Sequence, residues 1–280
     1  MRKVIGLCVA GVLLSAVCGR AQDANPPAVT GLMGAMPLEV NLLRSELHDG
    51  QTQQVLGVTF HTGELNGRRV VLVASGVGKV NAAMVATLLL DHYRPSEVIF
   101  TGIAGRLSPD LRPGDLVLGA KTIQHDFGEA TVNGFRPDTT RHPGTDKRNP
   151  AAFPAPWALL RVAEEAARQT SLGKIGDHAP VVRRGTIATG DLFVASPEKC
   201  LEIRQRCQAD AVDMEGAAVA QICWQQNVPC LVIRGLSDKA NATASDDMKK
   251  FAAVAAENSA RLVSAILQRL ATGNNSATQR

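Results

Sequence analysis

The sequence has no CxxC or HExxH spacing and its six His are scattered, so it gives no support to a metal site. After its first twenty residues it has no apolar run of membrane length, so the mature protein should be soluble, with no membrane partner. It also has little net charge of its own. The formal charge is +4, but Arg2, Lys3 and Arg20 stand before residue 22 without an acid among them, and removing those three cations leaves +1. That balance is no argument for a nucleic-acid partner. There is neither an internal repeat nor a second block of distinct composition. With 280 residues, 45% hydrophobic and 20% charged, the chain is too apolar for disorder and reads as one folded domain.

Arg2 and Lys3 precede an uncharged apolar run from Val4 to Val17, and Gly19-Arg20-Ala21 puts small residues where a signal peptidase needs them. The pattern predicts a cleavable signal peptide over 1–21 and an exported protein, periplasmic or secreted. Cys18 offers a lipidated alternative, but Val17 is bulkier than the small residue usual before a lipidated Cys, which favours cleavage without lipid. Residues 22–28, with Pro26-Pro27, read as a linker, 29–272 as the domain and 273–280 as a flexible tail. Beyond the leader stand Cys200, Cys207, Cys223 and Cys230, an even number that permits disulfides in an exported chain. Cys200 and Cys207 would lie about 10 Å apart on one helix, too far to bond each other. Cys230, in the apolar run 229–233, reads as a buried small hydrophobe.

Apolar runs rich in β-formers alternate with helical patterns. Strands are predicted at 29–34, 54–60, 68–75, 97–102, 115–120, 181–189, 210–213 and 229–235, and helices at 37–47, 79–93, 155–171, 196–207, 215–227 and 246–271. Such alternation predicts a single α/β domain with a mixed, mostly parallel sheet and helices on both faces. Val70-Val71-Leu72-Val73-Ala74 is continuously apolar, as expected of a strand covered on both sides. Residues 126–154, with seven Gly and Pro, resist assignment; a connection that long is usually functional or mobile.

Gly76-Val77-Gly78-Lys79 invites two nucleotide-binding readings, and both fail. A P-loop needs Ser or Thr where Val80 stands, and a dinucleotide fingerprint needs Gly where Asn81 stands. A tight strand-to-helix turn explains the glycines. Gly102-Ile103-Ala104-Gly105 reads as a similar turn, able to bring backbone N–H groups to a ligand. Three carboxylates carry more. Glu39 opens a helix after the first strand, Glu215 opens another after a short strand, and Asp238 follows a strand. Each has a plain structural explanation: an acid in a first helical turn complements the macrodipole, and an Asp after a strand caps or turns. But all three fall at carboxyl ends of strands in one sheet, and in a parallel sheet those ends converge on one cleft.

At these motifs the chain resembles the 5′-methylthioadenosine/S-adenosylhomocysteine nucleosidase family, within the nucleoside phosphorylase superfamily. The matching segments are GAMPLEVNLL (34–43), SGVGKVNAAMVATLLLDHYRP (75–95), TGIAGRLSPDLRPGDLVL (101–118), TGDLFVAS (189–196), VDMEGAAVAQICWQQNVPCLVIRGLSDKAN (212–241) and FAAVAAENSARLV (251–263). They run in the family order across nearly all of the mature chain. The resemblance implies hydrolysis of the N-glycosidic bond between adenine and a 5′-thio-substituted ribose, without a cofactor, by a homodimer. It implies that Asp238 protonates the departing base, that Glu39 activates the water, and that Glu215 accepts from the ribose hydroxyls with Met214 packed on the sugar. Phe193 would stack on the purine with Val194 beside it contributing backbone contacts, Ala104 and Gly105 would bind substrate, and Ser237 and Arg234 would orient Asp238 and Glu215. An exported purine nucleosidase is the reading this supports.

The sequence also departs from the family pattern. Ile103 stands where the family usually has Ser. Phe100 and Ile103 occupy places where phosphorylases need Arg and Ser to hold phosphate, which speaks against phosphorolysis. Met248 stands where the family has a Phe lid residue, and 126–154 diverges. Ile103 and that segment motivate an alternative, a nucleoside-binding or storage-type protein of the same fold with little or no turnover.

Overall fold

The computed structural model describes residues 28–277, the last five by their backbone alone. The segment read as a signal peptide, the linker up to Pro27, and residues 278–280 lie outside the described residues. The elements run β1 (Val29–Gly34), α1 (Pro37–Ser45), β2 (His48–Val55), β3 (Val58–Leu65), β4 (Arg68–Ala74), α2 (Lys79–Tyr93), β5 (Glu97–Arg106), β6 (Leu116–Gln124), β7 (Gly128–Thr131), β8 (Gly134–Pro137), β9 (Phe153–Pro154), α3 (Trp157–Ala167), β10 (Val182–Thr189), α4 (Pro197–Cys207), β11 (Ala211–Asp213), α5 (Gly216–Gln225), β12 (Cys230–Asp238) and α6 (Ala244–Ala277).

The sheet is mixed. β2, β3 and β4 form an antiparallel edge; β4, β1, β5 and β12 then run parallel. β12 is antiparallel to β6, which is parallel to β10 and, through it, to β11. β11 also pairs antiparallel with the end of β5, Val212 opposite Gly105, so five strands close on one another. Strand side chains alternate between two apolar layers, as period 2 requires. Met33, Val71 and Phe100 join α2 and α5 on one face, through Val85, Leu89 and Val219. Leu32, Leu72 and Ile99 join α1, α3 and α6 on the other, through Leu43, Leu160 and Ile266. Both faces are covered, which is why these strands carry no polar alternation.

Three expectations need correction. The strand expected at 54–60 is a hairpin: β2 and β3 meet at Leu56-Gly57, both with positive φ, +48° and +81°. β2 is exposed along all of its length but Val55, so no apolar pattern marks it. The turn expected at Gly102-Ile103-Ala104-Gly105 is strand. β5 runs on to Arg106 because β12 pairs along it as far as Asp238 opposite Gly105 while β11 holds its other side. The backbone of 273–277 continues α6 instead of leaving it as a tail. Within 126–154 the chain forms the β7–β8 hairpin, a bridge between Arg141 and Arg148, and β9 against β6. Cys200, Cys207, Cys223 and Cys230 are all free thiols; Cys223 is fully buried and Cys230 only partly.

Leu56 sits at the first left-handed position of a two-residue turn and is 84% exposed. Such turns favour Asn-Gly, because Leu in this region strains its Cβ against the carbonyl. Leu56→Asn should stabilise the protein by about 0.5–1 kcal/mol, read as a raised denaturation midpoint at unchanged slope. An equal or lower midpoint would contradict the turn geometry.

Candidate active site

The carboxyl ends of β1, β5, β11 and β12 meet at a cavity of about 200 Å³. Of the predicted site residues, Glu39, Ala104, Gly105, Phe193, Met214, Glu215, Ser237 and Asp238 line it. Val194 and Arg234 do not; Val194 packs behind it against Leu107 and Val212, and Arg234 lies buried beneath. Ile103 and Met248 line it as well. A larger cavity of about 440 Å³, beside Phe153, Trp224 and Pro229, holds no Asp, Glu, His, Lys or Arg and none of the predicted residues.

Pro37 starts α1, where its missing N–H costs nothing, and Glu39 falls in the first turn. Its Oε2 accepts from the N–H groups of Ala35 (2.7 Å) and Met36 (2.8 Å), as an acid at the third helical position can. Its Oε1 accepts from the Ile103 N–H of β5 (2.8 Å). The helix-start explanation of Glu39 is therefore true but incomplete, since the second oxygen ties α1 to the neighbouring strand. This contact needs Gly102: a Cβ there would stand 2.7 Å from Glu39 Oε1 and 3.0 Å from Arg234 Nη1. Burial pushes the Glu39 carboxyl above its ordinary value, against the pull of Arg234 and the three N–H donors.

Asp238 ends β12. Its Oδ2 accepts from the Ser237 hydroxyl and its Oδ1 from the Ala240 N–H, both at 2.8 Å. Burial raises its carboxyl despite those two donors. Glu215 is the N-cap of α5, one residue before the helix the sequence predicted to include it. It makes no cap hydrogen bond; instead its Oε1 accepts from the Gly78 N–H of the glycine turn (2.9 Å). Gly76 and Gly78, at φ +80° and +96°, make that turn possible. Burial first, and then the negative charge of Asp213, push the Glu215 carboxyl up to about 7, with Arg234 opposing.

Asp213 was missed as a site residue. Its Oδ2 accepts from Arg234 Nε (2.8 Å) and the Gly216 N–H (3.1 Å), and its Oδ1 from the Thr189 hydroxyl (2.5 Å). Arg234 was expected to orient Glu215, yet its bonded carboxylate is Asp213, and Glu215 Oε2 lies 3.9 Å from Nη2. The only signal was adjacency: Asp213 stands two residues before Glu215 in a strand of three. Ser237 donates to Asp238 Oδ2, the contact that an orienting role would use.

A model of the phosphorylase superfamily matches residues 29–268. Solved structures agree with it along the chain. The 5′-methylthioadenosine/S-adenosylhomocysteine nucleosidase of Neisseria meningitidis, in complex with methylthio-immucillin-A, is 36% identical with a TM-score of 0.76, over 86% of this chain and 99% of that one. The corresponding nucleosidase of Colwellia psychrerythraea 34H, in complex with adenine, is 34% identical with a TM-score of 0.76, over 86% and 95%. The futalosine hydrolase of Helicobacter pylori strain 26695 is 28% identical with a TM-score of 0.75, over 86% and 98%.

The raised Glu215 carboxyl has a stability consequence. Unfolded, the group ionises near 4.5; folded, it keeps its proton to about 7. The folded state therefore holds more protons in that window, and its stability falls as pH rises through it. Glu215→Gln, which carries no charge to bury, should match the wild type near pH 4 and exceed it at pH 8, by on the order of 1–3 kcal/mol. Parallel thermal unfolding at the two pH values checks this. A variant less stable than wild type by the same amount at both would contradict the raised carboxyl.

Proposed function

The chain belongs to the phosphorylase superfamily and, within it, to the 5′-methylthioadenosine/S-adenosylhomocysteine nucleosidases, and on that premise we propose that it hydrolyses the N-glycosidic bond of adenine nucleosides carrying a 5′-thio substituent. The observation that carries this reading is the set of three buried carboxylates, Glu39, Glu215 and Asp238, around one cavity. Cleaving the bond needs a proton for the departing base, a base for the water and an anchor for the sugar. Asp238 gives its proton to adenine N7 and accepts from the 6-amino group, and burial shifts its carboxyl upward, the direction that an acid in this role requires. Three N–H groups fill all but one of the roughly four acceptor positions of Glu39, leaving one for water. The water oxygen bonds to C1′, its proton passes to Glu39, and the electrons of the broken bond leave with adenine. Glu215 and Met214 hold the ribose, and Phe193 stacks on the purine. Ile103 in place of Ser leaves the backbone N–H to Glu39 intact, so the hydroxyl is dispensable for holding that carboxylate.

Water is favoured over phosphate as the nucleophile. Phe100 and Ile103 offer no charge or hydroxyl, and the one guanidinium beneath the cavity, Arg234, is engaged by Asp213. We also read the chain as exported, on residues 1–21 alone, and as a homodimer. Exposed Val77, Val80, Met84 and Leu192 supply an apolar surface beside the cavity for a second copy.

An adenine-release assay on the mature protein, with adenosine, methylthioadenosine and S-adenosylhomocysteine, tests the reading. Adenine and a free sugar should appear at a rate that phosphate does not change. Ribose 1-phosphate would overturn hydrolysis, and adenine binding without release would put the binding-protein alternative in its place. Asp238→Asn should lower kcat by at least about a hundredfold while adenine still binds; turnover near the wild-type rate would remove its role as acid. Glu39→Gln should lower kcat with ligand affinity nearly intact, and a full kcat would take the water from Glu39.

A further inference from the structure

Lys79 follows the glycine turn that fits no phosphate loop, and its ammonium points to no anion site. It donates to Asp126 Oδ1 at 2.6 Å and to Gln124 Oε1 at 3.3 Å. Asp126 Oδ2 accepts from the Asp191 N–H at 2.8 Å. Asp191 Oδ1 in turn accepts from the Lys79 N–H, also at 2.8 Å. The three residues thus close a ring across segments that follow β4, β6 and β10 in the chain. None of them lines the cavity.

Two walls of the cavity hang from this ring. On one side, Gly78 directly precedes Lys79 and gives its N–H to Glu215. On the other, Phe193 stands two residues after Asp191 and lines the cavity while 45% exposed. Gly78 has no side chain to cap α2, and Asp191 supplies the missing acceptor at the positive end of that helix. The Lys79 and Asp126 side chains are only 18% and 21% exposed, so their charge-assisted bond is less screened than a surface pair. Burial works against the Asp126 carboxylate, but Lys79 and the Asp191 N–H hold its carboxyl below the ordinary value. Behind the ring the His125 imidazole lies against Gly190, where any side chain would collide with it.

We propose that Lys79, Asp126 and Asp191 form a clamp that positions the Gly78 turn and the Phe193 loop together, and so determines the affinity of the cavity for its purine. They are positioning residues, and the purine part of the inference rests on the nucleosidase reading.

Asp126→Asn and Lys79→Met remove the same contact from opposite sides, so one serves if the other fails to fold. Both should raise the adenine Kd, measured by calorimetry, and the KM for methylthioadenosine by about tenfold. Both should change kcat by less than about threefold and speed amide exchange at 76–79 and 190–194. The double variant should be no worse than the worse single, and Lys79→Arg should recover most of the affinity. Wild-type exchange in both segments, unchanged adenine affinity, or losses that fall on kcat alone would overturn the clamp. A wild-type protein that neither binds nor releases adenine would sink the nucleosidase reading instead. Exchange would then decide the clamp: faster at both segments supports it, unchanged overturns it.

Discussion

One buried guanidinium makes this site possible. Arg234 sits in β12, between β5 and β6, and is 1% exposed. Its Nε bonds Asp213, its Nη1 lies 3.4 and 3.3 Å from the carbonyls of Phe100 and Ile233, and its Cζ lies 4.2 Å from the centre of the Phe100 ring. Its Nη2 makes no hydrogen bond among the described residues. Around it stand Asp213, Glu215 and Glu39, each nearly closed to water. Removing one partner from a buried ion pair costs about 3–5 kcal/mol, because the other charge is then stranded. Backbone had to make room for this cation. A Cβ at Gly102 would press on Arg234 and Glu39 together, and one at Gly235 would collide with the backbone of Ala255 in α6.

The closure of the strands explains why the carboxylates meet at all. Glu39 comes from the end of β1, Asp213 and Glu215 from the end of β11, and Asp238 from the end of β12. In an open sheet β11 would lie three strands away from β12. Its second pairing, to the end of β5, brings Val212 beside Gly105, and Gly105 in turn lies opposite Asp238. A side chain on Gly105 would press on both Asp238 and Val212. The long β5 that the sequence read as a strand and a turn is therefore the piece that joins the two halves of the site.

What could be read from the sequence was whatever a short segment carries by itself. Glu39, Glu215 and Asp238 each stand beside their own strand and helix signals, and the continuous apolar runs marked the doubly covered strands. The polar β2 gave no such signal, because an exposed edge strand answers to its turn and its partner, not to a core. Asp213 escaped because its partner, Arg234, is distant in sequence and meets it only once β11 and β12 are folded. The clamp was invisible for the same reason: residues 79, 126 and 191 share no local pattern, and only the adjacent ends of β6 and β10 bring the last two together.

The charge balance of the site bears on which reaction it can favour. Four carboxylates, Glu39, Asp213, Glu215 and Asp238, surround the cavity, and the cation beneath it is bonded to one of them. Burial has already raised the carboxyls of Glu39, Glu215 and Asp238, so a further anion would disfavour their ionised forms still more. The one Arg234 nitrogen without a hydrogen bond among the described residues, Nη2, lies buried 3.9 Å from Glu215 Oε2. A neutral nucleoside meets no such barrier. On the proposed reading, the positive charge that grows on the ribose as the glycosidic bond breaks would face Glu39 and Glu215, whose ionised forms would stabilise it. On that reading, the same surplus of acid that disfavours a phosphate nucleophile favours an oxocarbenium-like transition state attacked by water. Burial that is unfavourable for the resting carboxylates becomes an advantage only when that positive charge appears.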